Sequence, residues 1–381
     1  MKRIVLLGAS GSIGTQTLEL IERYPQHFSL YGVSGHRRVS KMKAIVERYA
    51  PEHVIMPENV CAAFGPDCVP LKRLPAFIEA TPEDVVIVNA LVGTAGLEPS
   101  VVALEQGRTV LLANKESLVS GGALIAKTLE EKGGTLIPID SEHSALRVLL
   151  KGRDIADVER LVITASGGAL RDTPLDELAS ATQEAVLAHP SWKMGAKVTV
   201  DSATMMNKVF EIIEAHWLFS MPYERLDAVL HKESVVHAFA HFRDGNVTAH
   251  VGPADMRIPI LTALQGEKTL EHPVAFRVED IASLRFEPLD EARYPLYRTG
   301  LRSAKKGGFA PVVLNAANEA VVSLFLRGDI AYGAMPGIIE QCLSTYEFSP
   351  PMTLDNILDV DRRVKADVMK TYAKGDDHDS S

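Results

Sequence analysis

Cysteine is scarce in this chain, with Cys61, Cys68 and Cys342 the only three among 381 residues. Their spacing gives neither the paired Cys-x-x-Cys units of a zinc site nor a disulfide framework, which fits a reducing, cytoplasmic setting. No apolar run approaches the ~20 residues needed to cross a bilayer, so no membrane partner is expected. The start, Met1-Lys2-Arg3 followed by Ile4-Val5-Leu6-Leu7, has the charged end of a secretion signal. Gly8, Ser10, Gly11 and Ser12 break it well short of an apolar core of about 7–15 residues. Basic residues do not dominate: 40 Lys and Arg face 49 Asp and Glu, for a formal net charge of -9. A nucleic-acid partner is therefore not expected, and any phosphorylated ligand must be met by a local basic cluster.

What is present is ordinary globular composition, 46% hydrophobic and 23% charged, in a chain long enough for two or three domains. Strand patterns at Ile4–Leu7, Ser29–Ser34, Val85–Asn89, Thr109–Ala113 and Thr135–Ile139 alternate with helical ones. That alternation predicts an α/β, Rossmann-like, doubly wound parallel sheet. The pattern changes after Asp140. Strand-like stretches at Leu161–Ala165, Lys197–Val200, Ala228–Leu230, Ser234–Phe242 and Asn246–Val251 predict a second, partly antiparallel sheet, with one long helix over Ala203–Leu218. Boundaries are expected near 139 and 265, then a proline-rich linker over 266–295 and a helical domain over 296–373. The polar tail 374–381 is expected to be disordered.

Gly8, Gly11 and Gly14 sit between the first strand and the first helix. Glycines there permit a tight turn and bring backbone amides against a pyrophosphate at the helix N-terminus, although a plain glycine turn would look similar. An NAD site commonly places an acidic residue about 20 residues further on. Here Val33-Ser34-Gly35-His36-Arg37-Arg38 has no carboxylate, and Arg37 and Arg38 suit a 2′-phosphate. NADPH is the expected cofactor.

Asp140-Ser141-Glu142 follows the end of a strand, where α/β sheets gather ligands. A metal site and a simple helix N-cap are equally compatible with it. The segment from Asp201 shifts the balance, because Asn207, Lys208 and Glu211 form a polar stripe on an otherwise apolar helix. Oxygen donors from Asp140, Glu142 and Glu211 suit a divalent cation such as Mg²⁺ or Mn²⁺. Between these segments, Trp192 in His189-Pro190-Ser191-Trp192-Lys193-Met194-Gly195 is a packing anchor or a lid over a site that must exclude water.

Together these segments resemble the 1-deoxy-D-xylulose 5-phosphate reductoisomerase family. The resemblance rests on GASGSIG at Gly8, ANKES at Ala113, IDSEHSA at Ile139, TASGGALR at Thr164, HPSWKMG at His189 and DSATMMNKVFEIIEAHWLF at Asp201, with VVHAF at Val235 and GPADMR at Gly252. It spans nearly the whole chain. It implies a homodimer with a cofactor domain (1–139), a catalytic, metal and dimerisation domain (140–265) and a C-terminal helical domain. It also implies NADPH contacts from Ser10, Gly11, Ser12, Ile13, Asn114, Glu116 and Gly195; Gly35, Arg37 and Arg38 join the expected cofactor set from their place after the second strand. The implied metal ligands for Mg²⁺, Mn²⁺ or Co²⁺ are Asp140, Glu142 and Glu211. Contacts to a small phosphorylated sugar fall to Lys115, Ser141, Glu142, Ser166, His189, Trp192, Ser202, Asn207, Lys208 and Glu211. Lys115, Glu142, His189, Lys208 and Glu211 are the implied catalytic set.

The chain departs from the family at Ser10 for Thr, at His36-Arg37-Arg38 for Gly-Lys/Arg-Asn, at Val209 for Gly and at Lys232-Glu233 for Pro-Gln. The implied reaction rearranges 1-deoxy-D-xylulose 5-phosphate and reduces it with NADPH to 2-C-methyl-D-erythritol 4-phosphate, a step of isoprenoid biosynthesis. Two rivals are a metal-free semialdehyde or homoserine-type dehydrogenase and a non-catalytic NADPH sensor. The first, in its semialdehyde form, needs a cysteine in the substrate region, and neither needs three converging carboxylates.

Overall fold

The structure is a computed structural model that describes residues 1–266 and 268–374. Strands β1 (Lys2–Leu7), β2 (Phe28–Ser34), β3 (His53–Met56), β4 (Val69–Pro70), β5 (Val85–Asn89), β6 (Thr109–Leu112) and β7 (Thr135–Pro138) form one parallel sheet in the order β4-β3-β2-β1-β5-β6-β7. Helices cover it, so its strands are apolar runs such as the fully buried Ile4-Val5-Leu6-Leu7. The strand order reverses between β1 and β5, which opens a crevice at their carboxyl ends. β3 and β4 escape sequence inspection because β3 has four residues and β4 two, one of them Pro70.

The second sheet contains β8 (Val158–Ala165), β9 (Leu226–Leu230), β10 (Val236–Phe242) and β11 (Val247–Val251) in the order β11-β10-β8-β9. β8 and β9 are parallel, whereas β10 runs antiparallel to both β8 and β11. The apolar helix Met206–Phe219 is buried on most of its surface in the main core, shared with this sheet and the helix Lys115–Lys132. Helices Pro295–Lys306, Met335–Thr345 and Leu354–Tyr372 pack around the nearly all-buried helix Ala310–Arg327.

Several expectations are corrected. Lys197–Val200 is not a strand but part of the helix Ala196–Ala203. Its Val-Thr-Val run favours a strand locally, yet the Gly195 carbonyl accepts Thr199 N at 3.0 Å and opens a helix whose Thr199 and Val200 are buried. The expected single helix Ala203–Leu218 is broken by Met205, which adopts the left-handed φ of 64°. That break turns Asn207, Lys208 and Glu211 toward the acidic residues. The stretch read as a linker is a strap: Leu230 and Glu287 bridge, Tyr294 Oη donates to Gly167 O at 2.9 Å, and Arg293 donates to Leu170 O and Thr173 O.

Cys61 and Cys68 form a disulfide, with Cα atoms 5.4 Å apart across the short turn into β4. A separation of seven residues did not reveal a pairing that depends on how that turn folds; in a reducing compartment the same residues stand as two thiols. Lys374, placed in the tail by sequence, donates to Gly328 O at 2.9 Å, and 375–381 lie outside the described residues. Among the described residues no helix is long and apolar enough to cross a membrane.

Candidate active site

Lys115 and Asp140 each follow a strand of the parallel sheet, β6 and β7, and so stand at its carboxyl edge. Asp140 caps the helix Ser141–Leu149 by accepting Glu142 N at 3.2 Å. The capping role is realised without using up the carboxylate, because one oxygen caps while the other pairs with Lys115. Ligand oxygens of Asp140, Glu142 and Glu211 lie within 4.8 Å of one another. Lys115 pairs with Asp140, reaches Glu211 at 3.1 Å and lies 3.7 Å from Glu214. Lys208 pairs with Glu211 and reaches Glu142 at 2.6 Å. Asn207 donates to Glu211, and Ser141 to Glu142.

Sequence inspection missed two members of this cluster. His143 is fully buried; it donates from Nε2 to Glu211 O at 2.8 Å, and its Nδ1 lies 3.3 Å from Asp140. Glu214 lies 3.8 Å from the same Nδ1, and its Oε2 has no hydrogen-bond partner. The available signal was helical spacing, since Glu214 extends the Asn207–Glu211 stripe by three residues and His143 lies three after Asp140.

The cluster is electrostatically uneven. Asp140, Glu142, Glu211 and Glu214 face two ammonium groups, Lys115 and Lys208, in a largely buried space. Burial, then the neighbouring Glu142, pushes the Glu211 carboxyl above its ordinary range. Burial likewise pushes Glu214 up to about 7. Burial opposes the charge on His143, but Glu214 and Asp140 outweigh it and lift the imidazole to about 9. Burial opposes the charge on Asp140 as well, and Lys115 overcomes it, holding that carboxyl well below its usual range. Glu214 and the protonated His143 face each other at the edge of the cluster, and the converging oxygens of Asp140, Glu142 and Glu211, with Glu211 Oε2 buried and lacking a hydrogen-bond partner, are a donor set that fits a hard divalent cation.

His189 is held by its own loop and by the end of β8. Ser191 N and Trp192 N donate to its Nδ1 at 3.2 and 2.9 Å, which fixes the proton on Nε2, and Nε2 donates to Ser166 Oγ at 3.0 Å. Gly168 N also donates to Ser166 Oγ. Gly168 has φ +71° and would place a Cβ 2.6 Å from the backbone O of Ser202, so glycine is what lets this turn approach the end of the helix Ala196–Ala203. The Trp192 ring stands 6.3 Å from that of His237.

Burial, then Arg171, lowers the His189 imidazole to about 4. Since its folded value lies below the ordinary 6.5, the folded protein binds fewer protons than the unfolded chain between pH 6.5 and about 4. The stability this residue contributes is therefore expected to decline as pH falls through that window. A histidine-resolved NMR titration is expected to show a neutral imidazole at pH 6; a midpoint near 6.5 would mean that burial and Arg171 do not disfavour its charged form.

The dinucleotide turn is built by close approach. A Cβ on Gly14 would lie 2.5 Å from Gly8 O, and one on Gly8 2.5 Å from Ala90 O, so strand, turn and helix touch through backbone. Gly11 caps the helix Ser12–Arg23 without a side-chain bond, leaving the amides around Ser12 and Ile13 to meet an anion. Arg38 Nη1 donates to Ser10 O at 2.9 Å, whereas Arg37 is exposed, and Gly35 is buried against Met42. Lys41, not singled out from sequence, donates to Ser10 O at 3.0 Å and to Thr15 at 2.9 Å. Asn114 caps the helix Lys115–Lys132 and donates to Leu91 O, Gly93 O and Glu116, so its polar atoms are engaged within the protein. Gly195, exposed, begins the helix Ala196–Ala203.

Three family profiles cover this architecture in order: 1-deoxy-D-xylulose 5-phosphate reductoisomerase over residues 4–122, its C-terminal domain over 136–219, and the DXP reductoisomerase C-terminal domain over 251–367. The chain is 42% identical over 384 residues to the 1-deoxy-D-xylulose 5-phosphate reductoisomerase of Geobacillus sp. (strain WCH70), covering 96% of this chain and 98% of that one. It is 43% identical over 372 residues to that of Bacillus subtilis (strain 168), covering 95% and 97%. A solved DOX-P reductoisomerase in complex with NADPH, fosmidomycin and magnesium superposes with a TM-score of 0.91 at 31% identity, covering 98% of each chain. The Zymomonas mobilis enzyme in complex with NADPH gives 0.87 at 33% identity, covering 97% of this chain and 99% of that one. This chain belongs to the 1-deoxy-D-xylulose 5-phosphate reductoisomerase family.

Proposed function

We propose that this protein converts 1-deoxy-D-xylulose 5-phosphate to 2-C-methyl-D-erythritol 4-phosphate by an NADPH-dependent rearrangement and reduction in the methylerythritol phosphate route to isoprenoids. The observation that carries this reading is the convergence of Asp140, Glu142 and Glu211 with Lys115 and Lys208 at the carboxyl edge of a dinucleotide-type sheet. Asp140, Glu142 and Glu211 would hold Mg²⁺, Mn²⁺ or Co²⁺. When bound, that ion supplies Lewis-acid stabilisation of charge developing on the substrate's oxygens. NADPH, seated on Ser10, Gly11, Ser12 and Ile13 with Asn114, Glu116 and Gly195 toward its nicotinamide end, supplies the hydride.

The remaining work falls to the protein's own side chains. Ser166, His189, Ser202, Asn207 and Lys208 fix the substrate and its phosphate, so that remote binding energy orders the reacting end. The His189 tautomer presents an N–H donor at Nε2. Burial opposes the ammonium of Lys115, but Asp140 and Glu211 keep it protonated, a fixed positive charge and hydrogen-bond donor between two proposed ligands. Ser141 orients Glu142 by hydrogen bonding. Trp192 and its loop exclude water.

The competing dehydrogenase reading, in its semialdehyde form, needs a substrate-site thiol. Cys342 is buried among the C-terminal helices, and Cys61 and Cys68 lie at the far edge of the cofactor sheet. A cytoplasmic homodimer completes the proposal. β11 is an edge strand bearing Val247 at 53% and Val251 at 40% exposure, a surface suited to a second copy.

The deciding assay is NADPH oxidation with 1-deoxy-D-xylulose 5-phosphate and Mg²⁺ or Mn²⁺. Turnover should disappear with chelator and return with metal; absence of turnover under saturating metal would reject the reading. Cofactor choice is tested separately. Arg38→Ala together with Lys41→Ala should weaken NADPH binding by about tenfold or more, since each removes a charge-assisted hydrogen-bond donor. Binding of NADH should barely change. Equal losses for both dinucleotides would mean that these residues only shape the turn.

A further inference from the structure

The proposed chemistry does not use Lys197, yet this side chain has an unusual set of partners. Its ammonium lies 2.8 Å from Glu116 and 2.8 Å from Asp201, and 5.2 Å from the centre of the Phe210 ring. Each partner leads to a different part of the site. Glu116 opens the helix Lys115–Lys132 beyond β6, at the carboxyl edge of the parallel sheet, and is itself bonded to Asn114. Asp201 is bonded through its other oxygen to Asn318 at 2.7 Å, which ties it to the buried central helix Ala310–Arg327. Phe210 immediately precedes Glu211.

Lys197 itself sits two residues beyond Gly195, in the first turn of the helix that the 189–195 segment runs into. The segment touches the rest of the site at two further points. His189 meets Ser166 at 3.0 Å, and the carbonyl of Lys193 accepts from Ser12 of the glycine turn at 3.4 Å. The loop is thus held on the substrate side by His189, on the pyrophosphate side by Lys193, and at its C-terminal root by Lys197.

We propose that Lys197 is a positioning residue that couples dinucleotide binding to closure of the 189–195 loop. Resting on the reading that NADPH occupies this crevice, the inference is physical. A buried ammonium between two carboxylates is held in place only while both stay near. Any ordering of Glu116 by the bound cofactor is therefore passed to the root of the loop, and loop closure in turn favours the cofactor, because coupling between sites is reciprocal. An uncharged apolar side chain of the same length cannot carry that coupling.

The test uses the full-length protein and trypsin, which can cut after Lys193 within the loop. Without substrate, NADPH is expected to slow cleavage after Lys193 in the wild type by at least about fivefold, the lower end of typical site coupling. In Lys197→Met that protection should fall below about twofold, and NADPH should bind more weakly by the lost coupling factor, while Lys197→Arg should restore most of both. Lys197→Met leaves Glu116 and Asp201 without their cation, so Lys197→Met with Glu116→Gln serves where the single variant does not fold, and it too should lack protection.

Wild-type protection retained in either Met variant overturns the proposal, as does NADPH binding to the wild type without slowing cleavage. Failure of the wild type to bind NADPH at all, followed by its fluorescence, would instead reject the functional reading on which the proposal rests. A merely structural role for Lys197 would lower the melting temperature and leave the protection ratio unchanged.

Discussion

Glu211→Gln is expected to reduce metal-dependent turnover by about 10²–10³-fold or more, the scale on which a single group that stabilises transition-state charge is usually felt. Gln keeps the shape of Glu211, can still accept from Asn207, and leaves Lys115 paired with Asp140. What it removes is one of three carboxylates whose oxygens converge within 4.8 Å. NADPH binding should persist, because the glycine turn makes no contact with Glu211.

A second measurement separates loss of metal from loss of fold. A cation that binds only the folded protein raises its stability by about 2.7 kcal/mol at a hundred times its Kd. Thermal melts of the wild type should therefore rise with Mg²⁺ or Mn²⁺, and those of the Gln variant should not. The metal-free variant should be at least as stable as the metal-free wild type, since burial and Glu142 already disfavour the ionised carboxyl. Near-normal activity, or a melt that still responds to the cation, would remove Glu211 from the ligand set.

Lys208→Met has the next largest expected effect, and it acts on stability as well as activity. Lys208 is 4% exposed and its ammonium stands between Glu142 and Glu211. Burial opposes that charge, but the two carboxylates overcome it and keep the amine protonated. Removing the cation leaves two buried acids facing each other, a change that costs about 3–5 kcal/mol when one partner of a buried pair is lost. Activity should fall by about 10²-fold or more, because the proposed substrate phosphate loses its fixed charge as well.

Lys208→Met and Glu211→Gln should respond oppositely to metal. A divalent cation relieves the repulsion between Glu142 and Glu211, so it should raise the melting temperature of Lys208→Met by more than that of the wild type. Adding Glu142→Gln should recover stability but not turnover. A Met variant that melts like the wild type without metal would show that the lysine is not what holds the acids together.

The contrast between these two residues shows what was legible beforehand. Asn207, Lys208 and Glu211 are visible as a stripe because a 3.6-residue period places them on one face, and Asp140 with Glu142 because they follow a strand end. Glu214 and His143 belong to the same cluster yet read as core or surface until the two helices are brought together. Lys197 was hidden more deeply, inside the stretch Lys197–Val200 whose β-branched residues suggested a strand, and its pairing with Asp201 four residues on shows only once that stretch is a helix. The turn at Met205, which divides the expected single helix, has no glycine to announce it.

The sequence by itself determined the alternation of strands and helices, the glycine turn at Gly8 to Gly14, the absence of an acidic residue beside Arg37 and Arg38, and the family. These are local or periodic properties, fixed by spacing along the chain. Only the tertiary structure decided which buried acids share which lysines, that the strap over 268–295 is bonded to the second sheet, and that Lys41 joins Arg38 at Ser10. Charge pairing depends on distance in space and on exclusion of water, and neither is a function of sequence separation.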